Sequence, residues 1–366
     1  MATEIVDGKL LTIKYVTPNA SGVGSGDTKE DGWDLLQATT GAGAGMEIRF
    51  INSGSFTADT TARTFANDGT GNQPIVFSGR NAADTAYENA YLSRGSVATT
   101  FAGKNIIVRY LDITSSATTS TVIVNDVKSM IYNCRIKNTS TSATGACYAL
   151  HCTNSITFNN YIENVTPTTS SLVSGALYFN NGICFGNKIV TKFNGVYVLS
   201  PCNMYSNIVI GGGVGQGFYM GDYMYLHLFK NNTLYNFNYG IILLADSATT
   251  SHTYIINNLF HTISGINNPS DPSSCVALII SKLQSDYHLN CFGNRYYNCD
   301  NFMVEDKYDT ENLNNNIQCT ADPFVYTDVN PSFDINPPDY SLNNITGGGV
   351  SCKNISSSAY SWTWNH

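Results

Sequence analysis

The amino-acid sequence predicts an all-β solenoid in which one chain winds into stacked coils of parallel strand. Three observations lead there: a short phrase that recurs at coil-like intervals, a second phrase that keeps pace with it, and a composition suited to strands and tight turns. The first phrase has an apolar residue, a spacer, an Asn, another spacer and an apolar residue. Its copies are Phe158-Asn159-Asn160-Tyr161-Ile162, Phe185-Gly186-Asn187-Lys188-Ile189, Tyr205-Ser206-Asn207-Ile208-Val209, Ile256-Asn257-Asn258-Leu259-Phe260 and Phe292-Gly293-Asn294-Arg295-Tyr296. Lys230 takes the leading apolar place before Asn232, and an earlier copy has Cys134 at the Asn position. Steps between the anchors are 26, 27, 20, 25, 26 and 36 residues, a period that means a repeat architecture.

The second phrase is a small residue followed by a β-rich run, as at Gly145–Leu150, Gly175–Phe179, Gly195–Leu199, Gly217–Met220 and Gly240–Leu244, with weaker copies at Ser274–Ile279 and Asn301–Val304. Two strand signals per period, with Gly and Asn at the corners, describe one turn of a coiled sheet. Charged residues make up 13 % of the 366 residues, whereas Tyr (23), Phe (17) and Gly (31) are abundant; such a chain favours strands closed by turns over amphipathic helices.

Taken in order, Lys9–Tyr15 reads as a strand and Asn19–Gly26 as a Gly/Ser loop. Residues Asp31–Ala38 form a short helix behind an acidic start, able to cap the first coil. Strands follow at Met46–Ile51, Gln73–Ser78, Asn105–Ile113 and Thr121–Val124, each bounded by turn residues. The boundaries that result are a strand and cap over 1–45, the coil over 46–306, and an irregular, proline-rich tail over 307–366.

In a parallel stack, equivalent side chains pile into ladders at the strand spacing of about 4.8 Å. An Asn at a corner tolerates the left-handed conformation and can bond to backbone or to the next Asn of its column. The Asn row is therefore a folding device before it is a ligand site. If the anchor marks a corner, residues one and three places later face outward and the residue between faces in. The early outward columns bring Arg135, Lys137, Tyr161, Glu163 and Lys188 into one mixed patch.

Two readings of that patch stand. In one, Lys188 or Arg135 is a base with Glu163 as its partner, and Tyr161, Tyr235 and Tyr297 stack on sugar rings. In the other, Lys137 and Glu163 are a cross-coil ion pair worth under about 1 kcal/mol. Asp222 and Asp246, which follow the second phrase in successive turns, are the candidate carboxylate pair for hydrolysis, which needs roughly 5 to 9 Å between them. His227, His252 and His261 are scattered. Further along, Val190, Ile208, Ile210 and Leu259 form an outward apolar column expected to be a subunit contact or to be covered by a loop. Trp362 and Trp364 in the tail need a similar cover.

The formal net charge is −8, and without a basic cluster nucleic acid is an unexpected partner. No apolar run reaches membrane-spanning length. The N-terminal residues lack the features of a secretory leader, so synthesis in a cytosol is expected. The ten Cys are expected to be reduced and buried. No cofactor or metal site is expected, since the acidic residues do not cluster.

The segments Tyr15-Val-Thr-Pro, Asp31–Ala38, Gly54-Ser-Phe, Gly71–Arg80 and Ile107–Ile113, with Ala321–Val325 and Asp339–Asn344 near the end, resemble proteins of the pectate-lyase-like superfamily. The resemblance implies a single-stranded right-handed parallel β-helix. Its ending, Leu342–Gly349, is similar to β-helix proteins carried by bacteriophages and some environmental bacteria. Members include lyases, hydrolases, tailspikes and structural proteins, so the resemblance specifies fold more than activity. It implies a structural virion protein, a head decoration or spike subunit, homotrimeric, contacting other virion proteins and able to bind host-surface polysaccharide. The alternative is a polysaccharide lyase or glycoside hydrolase, either a tailspike depolymerase or a bacterial carbohydrate-active enzyme.

Overall fold

A computed structural model describes residues 3–18, 20, 22–54, 56, 60–126, 128–141, 146–165, 174–221, 226–244, 251–263, 276–281, 287–299, 301–305, 310–312 and 316–319. It is a parallel β-helix with one short helix among the described residues, in two units, residues 1–182 and 183–366.

In the first unit three stacks of parallel strands build the coil. One stack runs through Lys9–Val16, Met46–Asn52, Ile75–Asn81, Ile106–Arg109 and Ser129–Tyr132 to the second half of Tyr148–Phe158. A second comprises Ala90–Ser93, Leu111–Ser115, Arg135–Asn138 and Tyr161–Asn164. The third comprises Arg63–Phe65, Thr99–Phe101, Ser120–Val124 and the first half of Tyr148–Phe158. Each coil therefore has three strands where two were expected, because the Asn phrase is a corner with a strand on either side of it. The segment Asn105–Ile113 divides in the same way at Tyr110, which is left-handed (φ 54°).

The second unit repeats the pattern. Strands Cys202–Tyr205, Leu226–Lys230, Ser251–Ile256, Tyr287–Phe292 and Thr310–Asn312 stack in order. Lys188–Thr191, Ile208–Ile210, Thr233–Phe237, Leu259–Ile263, Arg295–Cys299 and Ile317–Gln318 form the stack after the corner. The third is Asn194–Val198, Gln216–Met220, Tyr239–Leu244, Val276–Ser281 and Asn301–Glu305. Coiling thus continues past the boundary expected at 306. The phrase is hidden in that copy, where Asn316 is flanked by Asn314 and Gln318 in place of apolar residues.

The corner works by two residues. The left-handed position is the one before the anchor, at Asn133, Asn159, Gly186, Ser206, Asn231, Asn257 and Gly293, which corrects the expectation that the anchor itself adopts it. This leaves the anchor amide free to point inward and bond along the column. Nδ2 of Asn187, Asn207, Asn232, Asn258 and Asn294 each donates to Oδ1 of the next anchor, ending at Asn316, over 2.9–3.1 Å. The same Oδ1 atoms accept the anchor backbone N–H groups. Buried polar groups are costly when unpaired, and here each closes a bond with its neighbour. Behind the corner Ile189, Val209, Leu234 and Phe260 fill the interior, fully buried.

The expected cap is the helix Leu35–Gly41, starting later than predicted because Asp34 rather than Asp31 is its N-cap. Asp34 accepts from the Gln37 backbone N–H at 2.7 Å while Gln37 Oε1 accepts from the Asp34 N–H at 3.1 Å, a complete capping box. None of the eight described cysteines forms a disulfide, and six of them are buried; burial pushes the thiol pKa values of Cys134, Cys152 and Cys291 up to about 12.

Candidate functional site

On the strands after the corner, the structure brings together four of the predicted residues, Arg135, Lys137, Tyr161 and Glu163. Arg135 lies between Asp112 and Tyr161 in register, and Lys137 lies between Thr114 and Glu163. Arg135 is 3.7 Å from Asp112 Oδ2, and its guanidinium sits 5.5 Å from the Tyr161 ring centroid. Lys137 Nζ is 3.0 Å from Glu163 Oε1, and the Tyr161 hydroxyl donates to Glu163 Oε2 at 3.3 Å. Glu163 is fully buried and Tyr161 nearly so, so neither presents a working group to a glycan. This is the ion-pair reading of the patch. Asp112, absent from the sequence reading, joins the row because Leu111 occupies the corner position there. Burial, aided by Glu163 and opposed by Arg135 and Lys137, pushes its carboxyl up to about 6.

Of the two covers expected for the outward apolar column, a subunit or the chain itself, the burial fits the second. Val190, Ile208, Ile210 and Leu259 are at most 5 % exposed, and Lys188 and Tyr235 are buried as well. Both faces of this stack are covered within the chain; strand alternation fixes where a side chain points, not what lies over it. Tyr235, His261 and Tyr297 pile in register with centroids 5.1 and 5.0 Å apart, which makes Tyr235 a buried ladder residue and leaves Tyr297 half-buried at its end. His227 is buried and His252 half-buried. Asp222, Asp246, Trp362 and Trp364 lie outside the described residues. Among the described residues no three His, Cys, Asp or Glu side chains gather as a metal-binding group.

A more open face belongs to the second phrase. Leu150 and Cys152 are fully buried, so His151 between them points outward. Below it in register lie Ile123, Thr100 and Thr64, a column of modest side chains, the first two half-buried and Thr64 exposed. Above it the Tyr178 ring lies 4.2 Å away, tilted by 41°. Tyr148 closes the group edge-on to Tyr178 at 5.3 Å.

Two corners hold this group in place. Asn154 and Asn181, each three residues after His151 and Tyr178, are left-handed (φ 52° and 61°) and joined by a 2.7 Å bond from Asn181 Nδ2 to Asn154 Oδ1. On the other side, buried Asn164 donates through Nδ2 to the carbonyls of Cys147 and Gly175 at 3.1 and 2.7 Å.

Elsewhere on the outer faces rings stack nearly parallel, as in Tyr132–Phe158 at 4.5 Å and 9°, Tyr87–Tyr110 at 5.0 Å and 14°, and Tyr197–Tyr219 at 5.2 Å and 26°. Such ladders spend the ring faces on each other. The trio departs from that regularity, and burial without a compensating anion lowers the His151 pKa, so the imidazole is a free base at neutral pH. Sequence reasoning passed over it because the second phrase was read as strand alone. Aligning Leu150-His151-Cys152 with Leu177-Tyr178-Phe179, Val196-Tyr197-Val198 and Phe218-Tyr219-Met220 exposes the column.

No family model matches the chain, and no curated protein does. Among solved structures it is similar to the pectate lyase Pel9A, with a TM-score of 0.55 at 12 % identity over 94 % of this chain and 90 % of that one. It is also similar to an alginate lyase from Paenibacillus sp. str. FPU-7, with a TM-score of 0.50 at 12 % identity over 78 % of this chain and 95 % of that one. At that identity the likeness is one of fold, and the fold is the parallel β-helix.

Proposed function

We propose that the chain is a carbohydrate-active enzyme that cleaves an acidic polysaccharide by β-elimination at the face carrying His151 and Tyr178. The observation that carries this is the outward His151 imidazole, kept neutral by burial and packed 4.2 Å from Tyr178. The two structures compared above bear lyase names, which supports this reading over the hydrolytic one.

A ring nitrogen of His151 takes the C5 proton beside the uronate carboxylate; the C5–H electron pair forms the C4–C5 double bond as the C4–O bond breaks. The departing oxygen takes the Tyr178 hydroxyl proton. A neutral base suits this role because a positioned group titrating near the working pH contributes about 10²–10⁴-fold.

The test is a panel of acidic polysaccharides read by ultraviolet absorbance of the new double bond. Absorbance with at least one is expected. The competing reading, a homotrimeric virion subunit, would be favoured by sedimentation as a trimer together with no product on the whole panel.

A further inference from the structure

Outside that face, a densely charged group of side chains lies on the outer side of the stack that begins at Lys9–Val16. Its residues follow the register Tyr15, Arg49, Ser78, Arg109, Tyr132. Arg49 is 2 % and Arg109 3 % exposed, although both point away from the coil interior. The strand Thr3–Val6, which pairs antiparallel with Lys9–Thr12, lays Glu4 on Arg49, and the turn after it lays Asp7 on Arg109. Val6 fastens this strap by packing on Leu11, Ile13, Val76 and Ile107.

The charge accounting separates strap from sheet. Stacked strands and their loop supply three guanidiniums, Arg49, Arg80 and Arg109, against two carboxylates, Glu47 and Asp84. Arg49 bonds to Glu47 at 2.8 Å and to Asp84 at 2.9 Å, and Arg80 to Asp84 at 2.8 Å. Arg109 approaches Glu47 at 3.4 Å. Three cations against two anions leave an excess of one positive charge.

Strap residues Glu4 and Asp7 then supply two more carboxylates. Glu4 grips Arg49 through both oxygens, at 3.2 and 2.6 Å, and Asp7 accepts from Arg109 at 2.8 Å. These two acids are about half exposed while the guanidiniums beneath are buried. Arg109 also donates to the hydroxyls of Tyr87 and Tyr132 at 2.6 and 2.9 Å, and its buried Nε has no hydrogen-bond partner. Tyr87, partly exposed, has the guanidiniums of Arg80 and Arg109 at 4.3 and 4.4 Å from its ring centroid.

We propose that Arg49, Arg109 and the tyrosine hydroxyls of Tyr87 and Tyr132 form a second, anion-binding site for a carboxylate-bearing glycan, which Glu4 and Asp7 of the strap occupy as an internal stand-in. A bidentate guanidinium fork and paired hydroxyl groups are the partners a uronate carboxylate and its neighbouring oxygens require. The strap and the ligand then compete for the same two guanidiniums. Only the ligand class is taken from the proposed function.

The test uses the full chain with Glu4→Gln and Asp7→Asn together, titrated calorimetrically with a linear oligogalacturonate. Binding at least tenfold tighter than to the wild type is expected, with the gain lost when Arg49→Lys is added. No gain in affinity would overturn the proposal. If the double variant does not fold, the wild type answers instead. Saturating oligogalacturonate should speed amide hydrogen exchange at Thr3–Val6, and unchanged exchange there overturns the proposal. Adding His151→Ala to the double variant should leave the tight binding intact, so failure of the elimination reading and failure of this one are separable.

Discussion

Removing the charge of Asp112 should stabilise the protein at neutral pH. Its folded-state pKa of about 6 lies above the ordinary value, so the folded chain holds the proton more tightly than the unfolded one. Stability from this group is present below about pH 4 and lost as pH rises through about 6. Asp112→Asn is therefore expected to gain about 1–3 kcal/mol at pH 7 in urea unfolding, a gain that shrinks towards zero below pH 4. His151 has the opposite sign. Its pKa is lowered by burial, so the folded state resists its protonation, and stability falls as pH drops below the ordinary histidine value of about 6.5. For catalysis the same shift keeps the base unprotonated, and the acid limb of kcat/KM should lie below about pH 6.5.

At the scale of elements, the Asn column is where sequence and structure agree most closely. Asn232 accepts from Asn207 and donates to Asn258 Oδ1 at 3.1 Å and to the Met204 carbonyl at 2.9 Å. Asn232→Ala would orphan buried partners on both sides, and each such group costs about 1–3 kcal/mol. A loss of about 3 kcal/mol is expected in urea unfolding. The corner was legible because an Asn with apolar neighbours two places away on either side marks both the amide ladder and the inward side chains. Less legible was the second phrase, where the informative residue is the outward one between two inward apolar residues. His151 and Tyr178 stand there, and no turn or charge signal draws attention to them. For the outer face around Val190, Ile208 and Leu259 the need for a cover was legible but not its source, because the segments that cover a sheet need not share its period.

Across the whole molecule, the repeat made the coil predictable almost to its end, while function depends on departures from the repeat. A perfect ladder needs every coil to look alike, with rings stacked on rings and amides on amides. The tilted His151–Tyr178 contact and the guanidiniums beneath the strap Thr3–Val6 break that likeness.

The most direct measurement is the initial rate of double-bond formation on the polysaccharide that responds, compared between the wild type and a folded His151→Ala variant. The proposed role predicts a fall of about 10²–10⁴-fold and loss of the acid limb with it. A variant that turns over within about threefold of the wild type, with the limb unchanged, would contradict the assignment of the base and of the face on which it stands.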